Sequence, residues 1–138
     1  MSKVLEFTYM LFNKDNSIEI KTINDVSYEE IRSAIYDDVK DTPCNSTFYI
    51  GGKRYCLVYD DAFTAYYSDE ELKDLINENV TTLTGSNEFG SCVVSKLSSI
   101  ENEYGEFEYD SLSLGDIQEI IEYINKKENA RWYFQMSI

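Results

Sequence analysis

The sequence predicts an α+β fold built on a mainly antiparallel sheet, and three observations support this. Short β-rich runs are joined in pairs by turn signals, so hairpins outnumber parallel crossovers. Three serine-initiated helix starts interrupt the strands. The chain has 138 residues, 43% of them hydrophobic and 14% aromatic, which is enough for one ordinary core. We therefore predict one domain over residues 1–138, with about three helices in the order ββαββαββαβ.

The first predicted elements form a hairpin. Val4 to Phe12 is apolar on both alternating faces, with Glu6 as its one charge, which is typical of a central strand. The run Asn13-Lys14-Asp15-Asn16 is a turn cluster. Ser17 to Ile23 alternates isoleucine with charged residues, which indicates the partner strand.

A helix is predicted to follow. Ser27-Tyr28-Glu29-Glu30 is a capping box, in which the serine hydroxyl and Glu30 each satisfy a free backbone donor. Apolar residues then recur at helical spacing, at Tyr28, Ile31, Ala34 and Ile35. The helix must end before Pro43, near Asp38 or Val39.

A second hairpin is predicted around Gly51-Gly52. These glycines separate the β-rich runs Thr47 to Ile50 and Lys53 to Tyr59, and a two-residue hairpin turn requires positive φ. A second capping box, Ser68-Asp69-Glu70-Glu71, begins a short helix. Its inward residues are Leu72, Leu75 and Ile76.

The remaining elements are strands and one clear helix. Val80 to Thr84 and Gly90 to Leu97 read as strands, and the stretch Ser98 to Leu112 is either a short edge strand or an extended loop. Ser113-Leu114-Gly115-Asp116 caps a helix that runs to about Lys127, and Ala130 to Met136 alternates as a terminal strand would. The inward residues of that helix are Ile117, Ile120, Ile121 and Ile124.

The net charge of −14 is confined to the middle of the chain. From Asp60 to Glu122 there are sixteen acidic and two basic side chains. Such a field repels nucleic acids and anionic lipid, so neither is expected as a direct ligand. It attracts a basic protein groove or cations, although solubility alone is the plain alternative.

The sequence lacks the usual catalytic signals. It has no histidine, which removes the commonest general base and metal ligand. No nucleotide-binding glycine motif is present, and Gly51-Gly52-Lys53-Arg54 reads as a plain turn. The three cysteines Cys44, Cys56 and Cys92 match no zinc or disulfide pattern and are expected to be reduced, half-buried thiols. We predict no enzyme activity, no cofactor and no resident metal.

The candidate partner-binding residues lie in two acidic segments. If Glu106, Glu108 and Asp110 form a strand, their carboxylates project from one face about 7 Å apart, as phosphates do along one strand of nucleic acid, with Phe107 and Tyr109 toward the core. A second row is expected along the predicted helix, at Asp69, Glu70, Asp74 and Glu78. The set is completed by Glu101, Glu103, Tyr104 and Tyr109, since tyrosine is enriched at interfaces.

In its small size, acidic charge and the acidic segment Glu101 to Asp110, the chain resembles anti-CRISPR and antirestriction proteins of phages and mobile elements. No shared motif transfers individual residues. The resemblance implies an inhibitor that mimics nucleic acid and binds the basic nucleic-acid-binding surface of a target protein. Toxin-immunity proteins look similar, so a protein-binding subunit whose charge is incidental remains the alternative, followed by a carboxylate- and metal-dependent enzyme.

The amino terminus lacks the pattern of a signal peptide, and no stretch reaches the roughly 18 apolar residues of a membrane span. We therefore expect a cytoplasmic protein, in the bacterial host cytoplasm if the gene is phage-borne.

Overall fold

The computed structural model describes residues 6–24, 35, 43–60, 62–101 and 107–136. It confirms the α+β class: six strands form one antiparallel sheet, accompanied by helices. The strands are β1 Phe7–Phe12, β2 Ile18–Ile23, β3 Pro43–Ile50, β4 Lys53–Asp60, β5 Cys92–Glu101 and β6 Phe107–Asp110. The helices are α1 Phe63–Tyr66, α2 Asp69–Lys73, α3 Glu78–Thr84 and α4 Leu114–Met136.

Strand β5 organises the sheet, whose order is β2-β1-β5-β4-β3. One edge of β5 pairs with β4, from Val58 opposite Val93 to Tyr55 opposite Lys96. Its other edge pairs first with β1, where Phe12 faces Cys92, and then with β6, where Asp110 faces Lys96. Strands β1 and β6 therefore lie end to end along one side of β5, and β1 is central, as its apolar sequence predicts.

Both faces of the sheet bury apolar side chains. One face packs against α3 and α4, whose inward residues are Val80, Leu83, Ile117, Ile120 and Ile124. The other face is formed by Phe7, Tyr9, Leu11, Cys56, Val58 and Val93 and packs on the helical residue Ile35. Burial of Ile35 agrees with its predicted inward position, and the rest of the predicted helix beginning at Ser27 lies outside the described residues.

Local turn and cap chemistry is confirmed. Gly51 and Gly52 have φ of 56° and 80°, as a two-residue hairpin turn requires. Ser68 and Glu71 form the predicted reciprocal capping box. At α4 the Ser113 N–H donates to Asp116 at 2.9 Å, and the Asp116 N–H donates back to Ser113 Oγ at 3.1 Å.

The predicted strand Val80 to Thr84 is wrong, because this segment is helix α3. Its β-branched residues favour a strand, but both ends of the segment carry helix caps. The Asn77 side chain accepts from the Val80 N–H at 3.3 Å, and Gly85 ends the helix with φ 77°. The caps and the buried pair Val80 and Leu83, three residues apart, outweigh the intrinsic preference.

The predicted terminal strand Ala130 to Met136 is also wrong, because α4 continues to Met136. No glycine or proline follows Gly115, so nothing stops the helix, and alternation over seven residues did not distinguish the two structures. Ile121, predicted to point inward, is 36% exposed. No helix in the described part of the chain is long and apolar enough to span a bilayer.

Candidate protein-binding surface

The sheet topology gathers acidic side chains at one end of the molecule. Strands β1 and β4 finish where β5 begins, and the β1–β2 turn, α2 and the start of α3 all meet there. We call this region the acidic end. Its carboxylates are Asp15, Asp69, Glu70, Glu71, Asp74, Glu78 and Glu88. Two lysines, Lys14 and Lys73, belong to the same segments, so the acidic end has a strong excess of negative charge.

The Asn77 side chain joins the segments of the acidic end. It is fully buried, and its Nδ2 donates to the Phe12 carbonyl at 3.0 Å and to the Gly90 carbonyl at 2.8 Å. Its Oδ1 caps α3 at the Val80 N–H. One amide group therefore ties the end of β1, the approach to β5 and the first turn of α3 together.

Further hydrogen bonds attach the β1–β2 turn to the same point. Asn16 Oδ1 accepts from the Glu78 N–H at 3.2 Å, and the Asn16 carbonyl accepts from Asn79 Nδ2 at 3.1 Å. The Lys14 N–H donates to Ser91 Oγ at 3.3 Å. Hydrogen bonds thus connect the β1–β2 turn, the approach to β5 and the start of α3, and we call these connected segments the framework of the acidic end.

Three exposed carboxylates lie on α2 and at its C-cap. Asp69, Glu70 and Asp74 all lie on the surface, and Glu70 and Asp74, four residues apart, are neighbours on one side of the helix. Leu72 anchors the helix by packing in a small cluster with Phe63. Tyr66, three residues before Asp69, is 64% exposed, so a large aromatic side chain precedes this group in the chain.

Asp15 lies at the tip of the β1–β2 turn. Hydrogen bonds from the Ser17 hydroxyl and then from the Ser17 N–H hold the pKa of Asp15 below its ordinary value. The Asp15 carboxyl is therefore ionised at neutral pH.

Gly90 allows α1 to pack against the acidic end. Its φ is 72°, and a Cβ at this position would collide with the Phe63 ring. We expect Gly90→Ala to lower the free energy of unfolding by about 3 kcal/mol, from backbone strain and overpacking together. Gly85→Ala is the matched control, because Gly85 has φ 77° with open space around it and should cost about 1 kcal/mol. Equal losses in urea denaturation would show that the Phe63 contact is unimportant.

The second acidic segment lies elsewhere. Strand β6 pairs with the far half of β5, and its middle lies about 20 Å along the strand from the acidic end, with Asp110, opposite Lys96, about 13 Å from it. Asp110 is exposed, and its Oδ1 accepts from the Ser111 N–H. The backbones of Glu101 and Glu108 lie in β5 and β6. Glu103, Tyr104 and Glu106 lie outside the described residues. The structure therefore does not bring Asp110 together with Asp69, Glu70 and Asp74.

Tyr109 is occupied within the chain. It packs beside Leu97 against the core face that contains Tyr9, which agrees with its predicted inward orientation. Its hydroxyl donates to Asn45 Oδ1 on β3 at 2.8 Å. A binding role for Tyr109 would have to compete with these contacts.

Beside β6 the acidic charge is offset by lysines. Asp116 is 1% exposed and accepts from Lys53 at 3.2 Å and from Lys96 at 3.3 Å. Lys53 also pairs with Glu119 at 3.1 Å, and the Tyr55 hydroxyl lies 3.4 Å from Asp116. This network fastens the start of α4 to β4 and β5 around the buried Asp116, and its two lysines offset the charges of Asp116 and Glu119.

The charges of this network shift the titration of its members. Burial alone would raise the pKa of Asp116, but hydrogen bonds from Ser113, Lys53 and Lys96 outweigh it and hold that pKa below the ordinary range. The Glu119 and Asp116 carboxylates raise the pKa of Lys53. Burial, with Asp116 nearby, raises the pKa of Tyr55 to about 12.

The described residues contain no cluster of metal ligands, and neither of their two buried thiols is reactive. No group of three or more cysteine, aspartate or glutamate side chains there is arranged to hold a metal ion. Cys56 and Cys92 are buried in strands, more deeply than predicted. Burial raises the pKa of Cys56 to about 11 and raises that of Cys92 further, so neither thiol supplies a thiolate at neutral pH.

Three features of the acidic end escaped the sequence prediction. Asp15 comes from a distant part of the chain, and only the fold brings it here. Glu78 belongs to α3 rather than to the helix of Asp69. The Asn77 cap could have been predicted, because an asparagine followed at helical spacing by Val80 and Leu83 is a helix-start signal. The β-branched residues of Val80 to Thr84 instead favoured the prediction of a strand.

Comparison with known proteins yields similarity of fold alone. The crystal structure of the small RNA methyltransferase HEN1 matches 87% of this chain with a TM-score of 0.56 and 14% sequence identity. The match covers 16% of that chain, so this protein spans about a sixth of its length. No protein-family model matches the sequence, and no curated protein matches it either.

Proposed function

We propose that the protein is a non-enzymatic inhibitor that places its acidic end in the basic nucleic-acid-binding surface of a target protein. It acts as a mimic of the nucleic acid, in the manner of anti-CRISPR and antirestriction proteins encoded by phages or mobile elements. Its setting would then be the cytoplasm of the bacterial host. The observation on which the proposal depends is the exposed group Asp69, Glu70 and Asp74 beside a framework that presents Asp15 and Glu78.

The rigidity of that framework supports mimicry over simple solubility. A mimic benefits when its charges are held in place before binding, because ordering them on binding costs free energy. Here the buried Asn77 amide and the Asn16 contacts fix the β1–β2 turn and the start of α3, and Leu72 packs α2 against Phe63. Charge that served only solubility would need no such attachment and would be mixed and evenly spread.

Tyr66 adds a reason to expect a protein partner. An exposed tyrosine beside charged groups is typical of interface hot spots, since its ring supplies contact area and its hydroxyl a hydrogen bond. Tyr66 is 64% exposed and precedes α2. The acidic end therefore offers both electrostatic steering and an aromatic contact.

The segment Glu101 to Asp110 enters the proposal as a second contact region. The middle of β6 is about 20 Å from the acidic end along β5, so the segment engages the same groove only if the target surface is that long. Because the positive charges of Lys53 and Lys96 lie in this half of the molecule and a basic target would repel them, we assign the larger share of binding to the acidic end.

The test is capture from bacterial lysate by the immobilised full chain, followed by elution with duplex DNA or with RNA. A mimic predicts that nucleic acid displaces the captured protein, and that capture at about 0.1 M salt is lost by about 0.5 M. Capture that survives both treatments would count against the proposal.

Charge reversal locates the binding residues on the purified target. Asp69→Lys, Glu70→Lys and Asp74→Lys together should weaken binding about 100-fold, since juxtaposed like charges cost several kcal/mol. The matched triple variant, Glu106→Lys, Glu108→Lys and Asp110→Lys, changes the net charge equally. It should weaken binding less. A greater loss from this second triple variant would move the binding site to β6.

A protein-binding subunit with incidental charge remains the alternative, as in toxin-immunity pairs. Ile20 and Tyr49 are large apolar side chains exposed at 54% and 64%, and they lie away from the acidic end. This alternative predicts shallow salt dependence and no displacement by nucleic acid.

A further inference from the structure

Strand β2 forms an open edge of the sheet. It stands last in the strand order and pairs with β1 alone among the described strands. Its register with β1 is unbroken over six residue pairs, and five of its six residues are exposed. The strand contains no proline and no bulge, which are devices that proteins use to block edge pairing.

The hydrogen bonds of the β1–β2 hairpin show which backbone groups of β2 point outward. The Asn13 N–H donates to the Ser17 carbonyl at 2.9 Å, so this pair is hydrogen-bonded. Antiparallel pairs alternate between bonded and non-bonded, and Thr8 therefore does not bond Thr22 through the backbone. Accordingly, the Thr8 N–H and carbonyl bond Ser111 and Leu112 on the other side. The outward N–H and carbonyl groups of β2 belong to Ile18, Ile20 and Thr22.

The side chains of β2 would give an added strand an apolar contact on one face of the sheet. Ile18 and Ile20 project on the face that packs against the helices, opposite Phe12 and Met10, and they are 36% and 54% exposed. Glu19 and Lys21 project on the other face. An added strand would therefore cover apolar surface on one side and meet two opposite charges on the other.

We propose that β2 pairs with β2 of a second copy of this chain, antiparallel and centred on Ile20. The outward backbone groups admit a register in which Ile20 faces Ile20 of the second copy and Ile18 faces Thr22. This pairing forms about six backbone hydrogen bonds between the copies. It also places Glu19 directly opposite Lys21 of the second copy, twice by symmetry.

Charge selects this register over its neighbours. Sliding the second copy by two residues in one direction places Glu19 opposite Glu19, and sliding it in the other direction places Lys21 opposite Lys21. Like charges directly opposite each other destabilise a strand pair, and opposite charges stabilise it. In the proposed register these residues form non-hydrogen-bonded pairs, in which the side chains approach most closely. The sequence of β2 is therefore complementary to itself.

The arrangement also limits repulsion between two chains of net charge −14. In an antiparallel pair the two β1–β2 turns lie at opposite ends of the seam. Because each acidic end adjoins its own β1–β2 turn, the two acidic ends point away from each other. The dimer thus leaves both of them accessible, and it does not depend on the function proposed for them.

Sedimentation equilibrium of the full chain tests the proposal, over loading concentrations from about 10 to about 300 µM at about 0.15 M salt. We expect a reversible monomer–dimer equilibrium. Glu19→Lys and Lys21→Glu should each weaken dimerisation about tenfold, because each converts both cross-strand pairs to like charges. The double variant, Glu19→Lys with Lys21→Glu, should restore it to within about twofold of the unmodified chain.

Mixing the two single variants is the most discriminating part of the experiment. The mixture regenerates opposite charges at both positions, so it should dimerise more tightly than either variant does alone. Glu19→Lys also makes the chain less negative, so weaker dimerisation in that variant cannot come from net repulsion. Glu19→Lys also removes the hydrogen bond that Asn13 Nδ2 donates to Glu19. The double variant lacks the same bond, so recovery of dimerisation in the double variant would show that the lost bond is not the cause.

Ile20→Pro removes an outward donor and no hydrogen bond to β1, so it should give a monomer with an unchanged far-UV circular dichroism spectrum. A monomeric unmodified chain at the highest concentration overturns the proposal. A double variant that dimerises no better than the single variants also overturns the proposal. Both of these results can be interpreted even if the proline variant fails to fold.

Discussion

Replacing Asn77 with alanine is expected to lower the free energy of unfolding by about 4 kcal/mol. The variant loses the N-cap of α3, which is worth about 1 kcal/mol. It also removes two buried hydrogen bonds, to the carbonyls of Phe12 and Gly90, at about 1–1.5 kcal/mol each. For a chain of this size, the melting temperature should fall by roughly 10–15 °C.

Asn79→Ala is the matched control, two residues further along the same helix. Asn79 also donates through its Nδ2 to a backbone carbonyl, that of Asn16 at 3.1 Å, but this bond is exposed to solvent. We expect a loss of about 0.5 kcal/mol for it. Urea denaturation of both variants provides the comparison, and similar losses would mean that burial of the Asn77 amide contributes nothing special.

Asn77→Asp separates the amide donor from the shape of the side chain. The aspartate keeps the cap oxygen but presents a carboxylate oxygen to the two carbonyls, which lie 3.0 and 2.8 Å from the Asn77 nitrogen. A buried charge without a donor is costly, so this variant should be at least as unstable as the alanine variant. Amide hydrogen exchange should rise first in the turn 13–17 and around Gly90, the segments that Asn77 joins.

The features predicted correctly from sequence are those determined within a few residues. Gly51-Gly52 turns because consecutive residues need positive φ, and Ser68 and Ser113 start helices because their hydroxyls bond the backbone three residues away. The two wrong strands have the same origin. In Val80 to Thr84 and in Ala130 to Met136 a local preference or alternation resembled a strand, whereas the caps or the absence of a stop signal produced a helix.

The candidate surface required contacts between distant parts of the chain. The charge count correctly located the acidic residues in the middle of the chain, but it could not show that β5 separates Asp69 and its neighbours from Asp110. The Asn77 bridge to Phe12 spans 65 positions, and the turn containing Asp15 reaches the same place through it. Such groupings depend on strand order, which hydrophobic pattern alone leaves undetermined.

Replacing Asp116 with asparagine is expected to lower the free energy of unfolding by about 2–3 kcal/mol at neutral pH, because hydrogen bonds to a charged group are stronger than those between neutral groups. The carboxylate accepts from the Ser113 N–H at 2.9 Å and from Lys53 and Lys96. Both lysines are partly exposed, with 47% and 32% of their side chains accessible. In the asparagine variant, water therefore replaces much of the interaction that each ammonium group loses with the carboxylate.

The stability difference should depend on pH in a defined direction. The pKa of Asp116 in the folded protein lies below its ordinary value, so the unfolded chain takes up the proton first as pH falls. The stabilisation is therefore complete above about pH 5 and is lost as pH falls from about 4 through the folded-state pKa. The asparagine variant has no such proton, and the difference between the two proteins should close over that range.

Urea denaturation of both proteins at pH 7, 5, 4 and 3 measures this difference directly. Relief of the net negative charge on acidification acts on both proteins alike and cancels in the comparison. Glu119→Gln is the matched control, because Glu119 pairs with Lys53 at 3.1 Å while remaining partly exposed, and it should cost less than about 1 kcal/mol. A difference for Asp116→Asn that stayed constant from pH 7 to pH 3 would show that the Asp116 charge does not hold α4 to the sheet.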